Sequence, residues 1–462
     1  MLLLLAWVPA AAHAGGPGML VGATEDAVKS TDPATARAQM DLLAMAGFDA
    51  VRITQDWAPG QTAVTSAQAT ILDNVLAAAK ADGIVVFVTV MNYGSATTPL
   101  TDTDQADFAS FAASVATTAG VRHVIVGNEP NLNRYWLPQF NPDGTDAAAP
   151  AYESLLAKTY DAVKAAAPAV QVIGGALSPR GGDVDGIRPT HSPTQFILDM
   201  GAAYKSSARA TPIMDALALH PYEDHSDIAP SAGTHPNTTT IALADYGKLV
   251  ALLGQAFDGT AQAGSALPIY FDEFGVETQI PAAKASLYTG TEPAVTHPVD
   301  EATQGAYYRQ AIQLAFCQPT VRGFFVFHAF DEKDLSGWQS GVYYADDTPK
   351  ASLPIVKAAI AQSRRGVVAS CPGLALTPKP EVSQQGSVLT LRCDIDCAYV
   401  AQLYRLPGKL LASKKGRVVG GKPTALPLRV PATAGSYRLR LSATATVNVG
   451  KATLLRLPVK PG

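Results

Sequence analysis

HVIVGNEPN, residues 123 to 131, carries the β-branched run Val124, Ile125 and Val126 into a glycine, then an amide, a carboxylate and a proline. A short apolar run of this kind reads as a strand buried on both faces, and the polar groups behind it mark the strand's carboxyl end. PIYFDEFG, residues 268 to 275, repeats the design with Glu273 at its end. Two strands thus each deliver one carboxylate, Glu129 and Glu273, to the same rim.

Working outward from these two stretches, strand and helix patterns alternate eight times. The strands are expected at 19–23, 50–54, 84–90, 123–127, 170–175, 216–220, 269–273 and 323–328, with Ala-rich amphipathic stretches between them, for example at 65–82, 103–119, 151–167, 241–257 and 302–317. Eight such units predict an α/β fold, a (β/α)8 barrel. Links from helix to strand are short and carry stop signals such as Gly47, Gly83, Gly120 and Pro168. Links from strand to helix are long, notably after His220, Glu273 and His328, so length has been added at the carboxyl-end face, where such barrels place their sites.

With 462 residues, 47% hydrophobic and 16% charged, the chain can bury one large core and a smaller one. Charge divides along it: residues 372–462 hold 14 Lys plus Arg against 3 acids, a net of +11, which leaves −15 for residues 1–371. The expected organisation is a signal peptide at 1–14, a barrel at 15–365, a Pro-rich linker at 366–380 and a β-sandwich accessory domain at 381–462. The leader MLLLLAWVPAAAHA ends in an A-x-A site at Ala12–Ala14, which predicts a secreted protein, extracellular or held at the cell surface, although the leader is short and lacks a basic residue near Met1. Elsewhere no stretch is apolar for long enough to span a bilayer. Four cysteines suit an exported chain: Cys393 with Cys397 and Cys317 with Cys371 could be bridged, free buried thiols being the alternative. The tail alternates apolar with polar or basic residues between Gly, Pro and Lys turns, as in a small β-sandwich.

From about residue 19 to 363 the chain resembles the retaining glycoside hydrolases of the clan A superfamily, the cellulase-like and β-xylosidase-like barrels. The resemblance rests on Arg52 at the end of strand 2, Asn128-Glu129-Pro130 at strand 4, His220-Pro221-Tyr222 at strand 6 and Glu273 at strand 7. It implies that Glu129 is the acid/base and Glu273 the nucleophile in cleavage of a β-linked bond, internal ones included, of a polysaccharide or oligosaccharide, with the carboxyls roughly 5 Å apart. It also implies that Asn128 binds the sugar's 2-hydroxyl and that Arg52 and Tyr222 steady the nucleophile. The chain departs from many members in ending strand 8 with Phe327-His328 where a Trp is common, and in carrying Asn92 where cellulase-like members often have His. Both departures argue against cellulose.

Simpler readings compete residue by residue. Either Glu could pair with an arginine, and Arg52 could be a core ion pair. Asp272 and Glu277 compete with Glu273, but strand alternation is expected to send Asp272 to the opposite side and Glu277 lies past the strand. His220 reads as a hydrogen bonder behind the catalytic pair, and both His220 and His328, at the end of strand 8, are expected to be substrate-binding residues. Trp57, Trp136 and Trp338 each follow a strand end and could stack on sugar C–H faces, extended by Tyr93, Tyr135, Tyr343 and Tyr344, or they could merely pack the rim. The expected partner is a carbohydrate, with an anionic cell-surface polymer as a partner for the basic tail; no nucleic acid and no cofactor are called for. Two other functions stay open at this level: a carbohydrate-binding protein on an inactive barrel, or a transglycosylase. A metal-dependent hydrolase using His220 and His225 is disfavoured, because Thr24-Glu25 stands where a His-x-His would follow strand 1.

Overall fold

The computed structural model describes residues 15–368 and 371–462. The proposed leader at 1–14 lies outside them. Eight parallel strands close into a barrel in chain order: β1 Leu20–Thr24, β2 Ala50–Trp57, β3 Val85–Asn92, β4 His123–Val126, β5 Gln171–Leu177, β6 Ala216–Leu219, β7 Ile269–Phe274 and β8 Val321–Phe327. Closure is made by β8 against β1, with Leu20 opposite Gly323 and Thr24 opposite Phe327. The helices are α1 Pro33–Ala46, α2 Ser66–Asp82, α3 Asp102–Ala116, α4 Ala148–Ala166, α5 Pro193–Ser206, α6 Tyr246–Phe257, α7 Glu301–Phe316 and α8 Leu353–Arg364.

Local chemistry explains the helix ends. Asp32 caps α1 by accepting from the backbone N–H groups of Ala34 and Thr35, and Thr65 with Gln68 forms a reciprocal capping box on α2. Gly47 and Gly83 end those helices at φ of 94° and 70°, a conformation that costs a residue with a Cβ.

The barrel interior is filled, not open. Ala50, Phe87, Ile125, Ile173, Ala216, Ala218, Tyr270 and Phe325 form one buried cluster. Phe87 meets Phe325 and Tyr270 edge-on with ring centres 5.0 and 5.2 Å apart. Gly22 makes room for this packing, since a Cβ there would stand 2.6 Å from the Phe325 ring. Residues two further along the same strands, Arg52, Thr89, His220 and Asp272, share the inward-facing positions, so a polar layer lies directly above the apolar floor.

The described residues form two compact units, one of 20–315 with 320–357, the other of 15–19, 316–319 and 358 onward. The second unit takes in residues 366–368 and 371–380. It pairs two antiparallel sheets: β13-β10-β9 and β12-β11-β14-β15. Their strands are β9 Pro380–Gln385, β10 Val388–Cys393, β11 Cys397–Arg405, β12 Lys409–Val418, β13 Thr424–Arg429, β14 Tyr437–Ala445 and β15 Thr453–Val459. Leu391, Leu403, Leu426, Tyr437, Leu439 and Leu441 fill the space between the sheets. Both disulfides pair as the spacing allows, Cys317 with Cys371 and Cys393 with Cys397. No helix among the described residues is long and apolar enough to cross a membrane.

Candidate active site

Glu129 follows β4 by three residues and holds a left-handed φ of 41°. A non-glycine residue in that region stores roughly 1–3 kcal/mol of strain, kept only where neighbours fix it. The fixing groups are visible. The Glu129 N–H donates to Ala176 O at 2.9 Å, and its carbonyl accepts from Leu132 N at 2.9 Å. Asn131, fully buried, donates to Ser178 O and His191 O and accepts from Ser178 N, which clamps the β4 loop to the β5 loop. Tyr152 of α4 adds a second tie: its hydroxyl donates to Val126 O at 2.6 Å and accepts from Gly175 N at 2.8 Å.

Glu273 sits at the end of β7, where the pairing with β8 slips. Phe271 faces Phe324, but Phe274 faces Val326, so β7 carries one extra residue at Asp272–Glu273. This bulge corrects the alternation argument. Asp272 keeps the inward position two residues after Tyr270, fully buried, 3.3 Å from Arg52 Nε and 3.5 Å from His220 Nε2, and the extra residue brings Glu273 to the same site and not to the opposite side. Sequence reasoning set Asp272 on the opposite side from Glu273 because a bulge leaves no mark in strand periodicity.

The side chains converge. Arg52 Nη1 donates to Glu273 Oε1, Nη2 donates to Asn128 Oδ1 at 2.8 Å, and Nε donates to Thr89 Oγ1 at 2.7 Å. Because Arg only donates, Asn128 presents its oxygen to Arg52 and keeps its N–H2 for another partner. Tyr222 donates to Glu273 Oε2 at 3.0 Å. His220 Nδ1 lies 3.0 Å from Glu129 Oε1 and 3.3 Å from Glu273 Oε2, so those two oxygens are at most about 6.3 Å apart. Thus Arg52, Asn128, His220, Tyr222, Glu129 and Glu273 are brought together.

Electrostatics follow from this packing. Burial pushes the His220 imidazole down, but the carboxylates of Glu273 and Asp272 outweigh it and raise His220 to about 10. Burial would raise Asp272, yet Arg52 and His220 hold it below the usual carboxylate range. Burial, then Glu273 and Glu129, push the Tyr222 phenol well up, so it stays a hydrogen-bond donor. Two buried cations therefore face two buried anions, Asp272 and Glu273, and the group is neutral when Glu129 carries a proton.

The aromatic expectations divide. Trp338 is half-exposed, lies over Tyr222 with ring centres 5.0 Å apart and meets Phe327 edge-on at 5.2 Å. It comes from the loop after β8, eleven residues beyond Phe327. Trp57 and Trp136 are 1% and 2% exposed, packed edge-on against Phe108 and Tyr152, and offer no face to a ligand. Tyr343 and Tyr344 are buried as well, while Tyr93 is 78% exposed. His328 turns toward Glu25, with Nδ1 3.7 Å from its carboxylate, and Glu25 in turn accepts from Ala329 N. Asn92 is spent on the loop, donating to Gly94 O and Tyr135 O.

Beside Glu129 opens a cleft of about 320 Å³ walled by Arg180, Tyr222, Asp224, Glu277 and Trp338. Burial lifts Glu277 to about 7; its carboxylate accepts from Gln339 N at 3.3 Å, away from Arg52 and His220. A larger hollow, about 600 Å³ along α5, is lined by none of the converging residues. Among the described residues no cluster has the makings of a metal site.

No protein-family model matches the chain, and no curated protein matches it in sequence. Solved structures do match in shape. One is a family 39 glycoside hydrolase from the gut symbiont Bacteroides cellulosilyticus WH2, 15% identical, covering 89% of this chain and 81% of its own, with a TM-score of 0.54. Another is a variant of GH5_18 from Streptomyces cattleya solved with Manb1-4GlcNAc, 17% identical, covering 78% of this chain and 84% of its own, with a TM-score of 0.51. At this identity the likeness is one of fold.

Proposed function

We propose that this chain is a retaining glycoside hydrolase acting on a β-linked bond of an oligosaccharide or polysaccharide, exported from the cell. The observation that carries the reading is a single imidazole nitrogen touching two carboxylates from the ends of β4 and β7, which holds one oxygen of each within about 6.3 Å of the other. Retaining enzymes hold their carboxyls roughly 5–5.5 Å apart and inverting ones roughly 6.5–9.5 Å, so the bound favours a direct nucleophile over a bound water. The wider likeness to a glycoside hydrolase fold supports it.

In this reading Glu273 attacks the anomeric carbon, kept charged and aimed by Arg52 and Tyr222. Glu129 gives its proton to the leaving oxygen. Glycosylation removes the negative charge of Glu273, and the two cations then favour an ionised Glu129, which takes a proton from the attacking water. Asn128 offers its N–H2 to a sugar hydroxyl, and Trp338 is the one predicted tryptophan left with a face for the ring.

Turnover of a panel of polysaccharides and aryl glycosides tests the assignment. Glu273→Gln should lose nearly all activity on any substrate the wild type cleaves. Glu129→Gln should lose roughly 10²–10⁴-fold on poor leaving groups and far less on activated aryl glycosides, which need little acid assistance. If both variants match the wild type on a cleaved substrate, the assignment fails. Proton NMR of the first-formed anomer decides retention against inversion.

A further inference from the structure

The four-stranded sheet of the second unit carries no acid in any strand. β11, β12, β14 and β15 together hold Arg405, Lys409, Lys414, Lys415, Arg417, Arg438, Arg440 and Arg456, with no Asp or Glu. Strand alternation sorts these by face. Tyr399, Ala401 and Leu403 of β11 and Leu439, Leu441 and Ala443 of β14 point into the sandwich core, so residues 398, 400, 402 and 404, and 438, 440, 442 and 444, point away from it. Register places Lys415 and Arg417 of β12 beside Val400 and Ala398, and Arg456 of β15 beside Arg440. The outward face therefore bears five cations, Lys415, Arg417, Arg438, Arg440 and Arg456, and four of them are exposed, Arg438 partly.

A solvated sheet face or edge protection would explain part of this. Basic residues on β12 and β15, the two edge strands, discourage pairing with other chains. Edge protection does not explain Arg438 and Arg440, which lie on β14, an inner strand. Nor does it explain Arg440 directly opposite Arg456, since like charges across a strand pair destabilise the sheet. An anion bridging the pair relieves that repulsion. The cations also run across the whole sheet, from β12 to β15, three strand spacings or roughly 14 Å, farther than one small anion reaches. A trough of about 520 Å³, lined by Ala398, Val400, Lys415, Arg417, Ser442 and Thr444, opens beside the β12 cations, with Arg440 two residues before Ser442 on β14.

We propose that the outward face of β12-β11-β14-β15 binds an acidic polysaccharide that lies across the strands, its carboxylate or sulfate groups held by Arg438, Arg440 and Arg456 on one side and by Lys415 and Arg417 on the other. Single-stranded nucleic acid is disfavoured because the face's one aromatic, Tyr404, has the Arg440 guanidinium 4.8 Å above its ring centre, leaving no free plane for a base. The choice of a glycan among polyanions rests on the glycosidase reading of the barrel; the charged face itself does not.

The 462-residue chain is tested for binding to polygalacturonate, heparin and neutral xylan, with duplex DNA and phosphatidylserine vesicles as alternatives, across a series of salt concentrations. The Arg438→Ser/Arg440→Ser/Arg456→Ser variant is compared with Lys379→Ser/Lys422→Ser/Lys451→Ser, which removes equal charge from exposed positions outside the four strands. The expected result is binding to one or both acidic glycans but not to xylan, weakening steeply with salt, with the arginine variant about tenfold weaker or more and the lysine variant within about twofold of wild type. Equal loss in both variants makes the effect one of net charge and overturns the proposal. Tighter binding to DNA or vesicles overturns it too, as does absence of binding to both acidic glycans. Turnover of a small neutral glycoside, measured in parallel, stays unchanged in both variants, so failure of this face and failure of the barrel assignment are read separately.

Discussion

Asp272 sets the charge balance of the site without touching a place where substrate would sit. With it, Arg52 and His220 face Asp272 and Glu273, two against two; without it, the cations are in excess and protons leave the site more easily. Asp272→Asn should therefore move the alkaline limb of kcat/KM to lower pH and cost most on poor leaving groups. Unmoved limbs would show that Asp272 only fills space. The same network links to stability. His220, raised by burial-opposed carboxylates to about 10 from an ordinary value near 6.5, contributes stability fully below about pH 6.5 and loses it as pH rises through about 10. Urea unfolding between pH 6.5 and 10 should show this decline, and a flat profile would contradict a charged His220. The tryptophans part at this scale as well. Trp338→Ala should raise KM by about tenfold with little change in unfolding, whereas Trp57→Ala, emptying a buried site, should cost about 3–5 kcal/mol of stability.

Among the elements, β4 and β7 deliver the two carboxylates by different local devices. Glu129 is aimed by a left-handed residue after a short strand, Glu273 by a bulge. The tie from α4 holds the first of these. Tyr152→Phe removes one hydroxyl that serves both Val126 O and Gly175 N, leaving a buried carbonyl and a buried N–H unpaired; the expected cost is about 1–3 kcal/mol with a fall in kcat as Glu129 loses its support. A thermal melt and steady-state kinetics check both, and unchanged values would mean that the strand end is held by Asn131 alone. Glu129 and Glu273 were legible from apolar runs that stop at a polar residue, whereas Arg52, the third residue of β2, and His220 were picked out by the family resemblance. Trp57 and Trp136 were not, because whether a loop indole faces the cleft or the core depends on Phe108 of α3 and Tyr152 of α4, helices that only packing brings beside them.

For the whole molecule, the uneven charge along the chain coincides with a real change of architecture, from a closed parallel barrel to antiparallel sheets. The second unit is small and gains from covalent ties. Cys317 and Cys371 close a loop of 54 residues, so reduction under denaturant should lower stability by about 2–5 kcal/mol. Identical unfolding curves with and without reductant would show that the bridge is not formed in solution.

What the amino-acid order determined by itself was the eight-fold alternation, the working face and the two carboxylates on it, because periodicity and strand-end polarity are written in neighbouring residues. Only the tertiary structure decided that Asp272 lies beneath the site, that Trp338 and not Trp57 or Trp136 faces the cleft, and that five cations share one side of a sheet. Each of these depends on a bulge, a helix contact or a strand register, and such pairings join residues far apart in sequence whose free energy is settled only when the chain is packed.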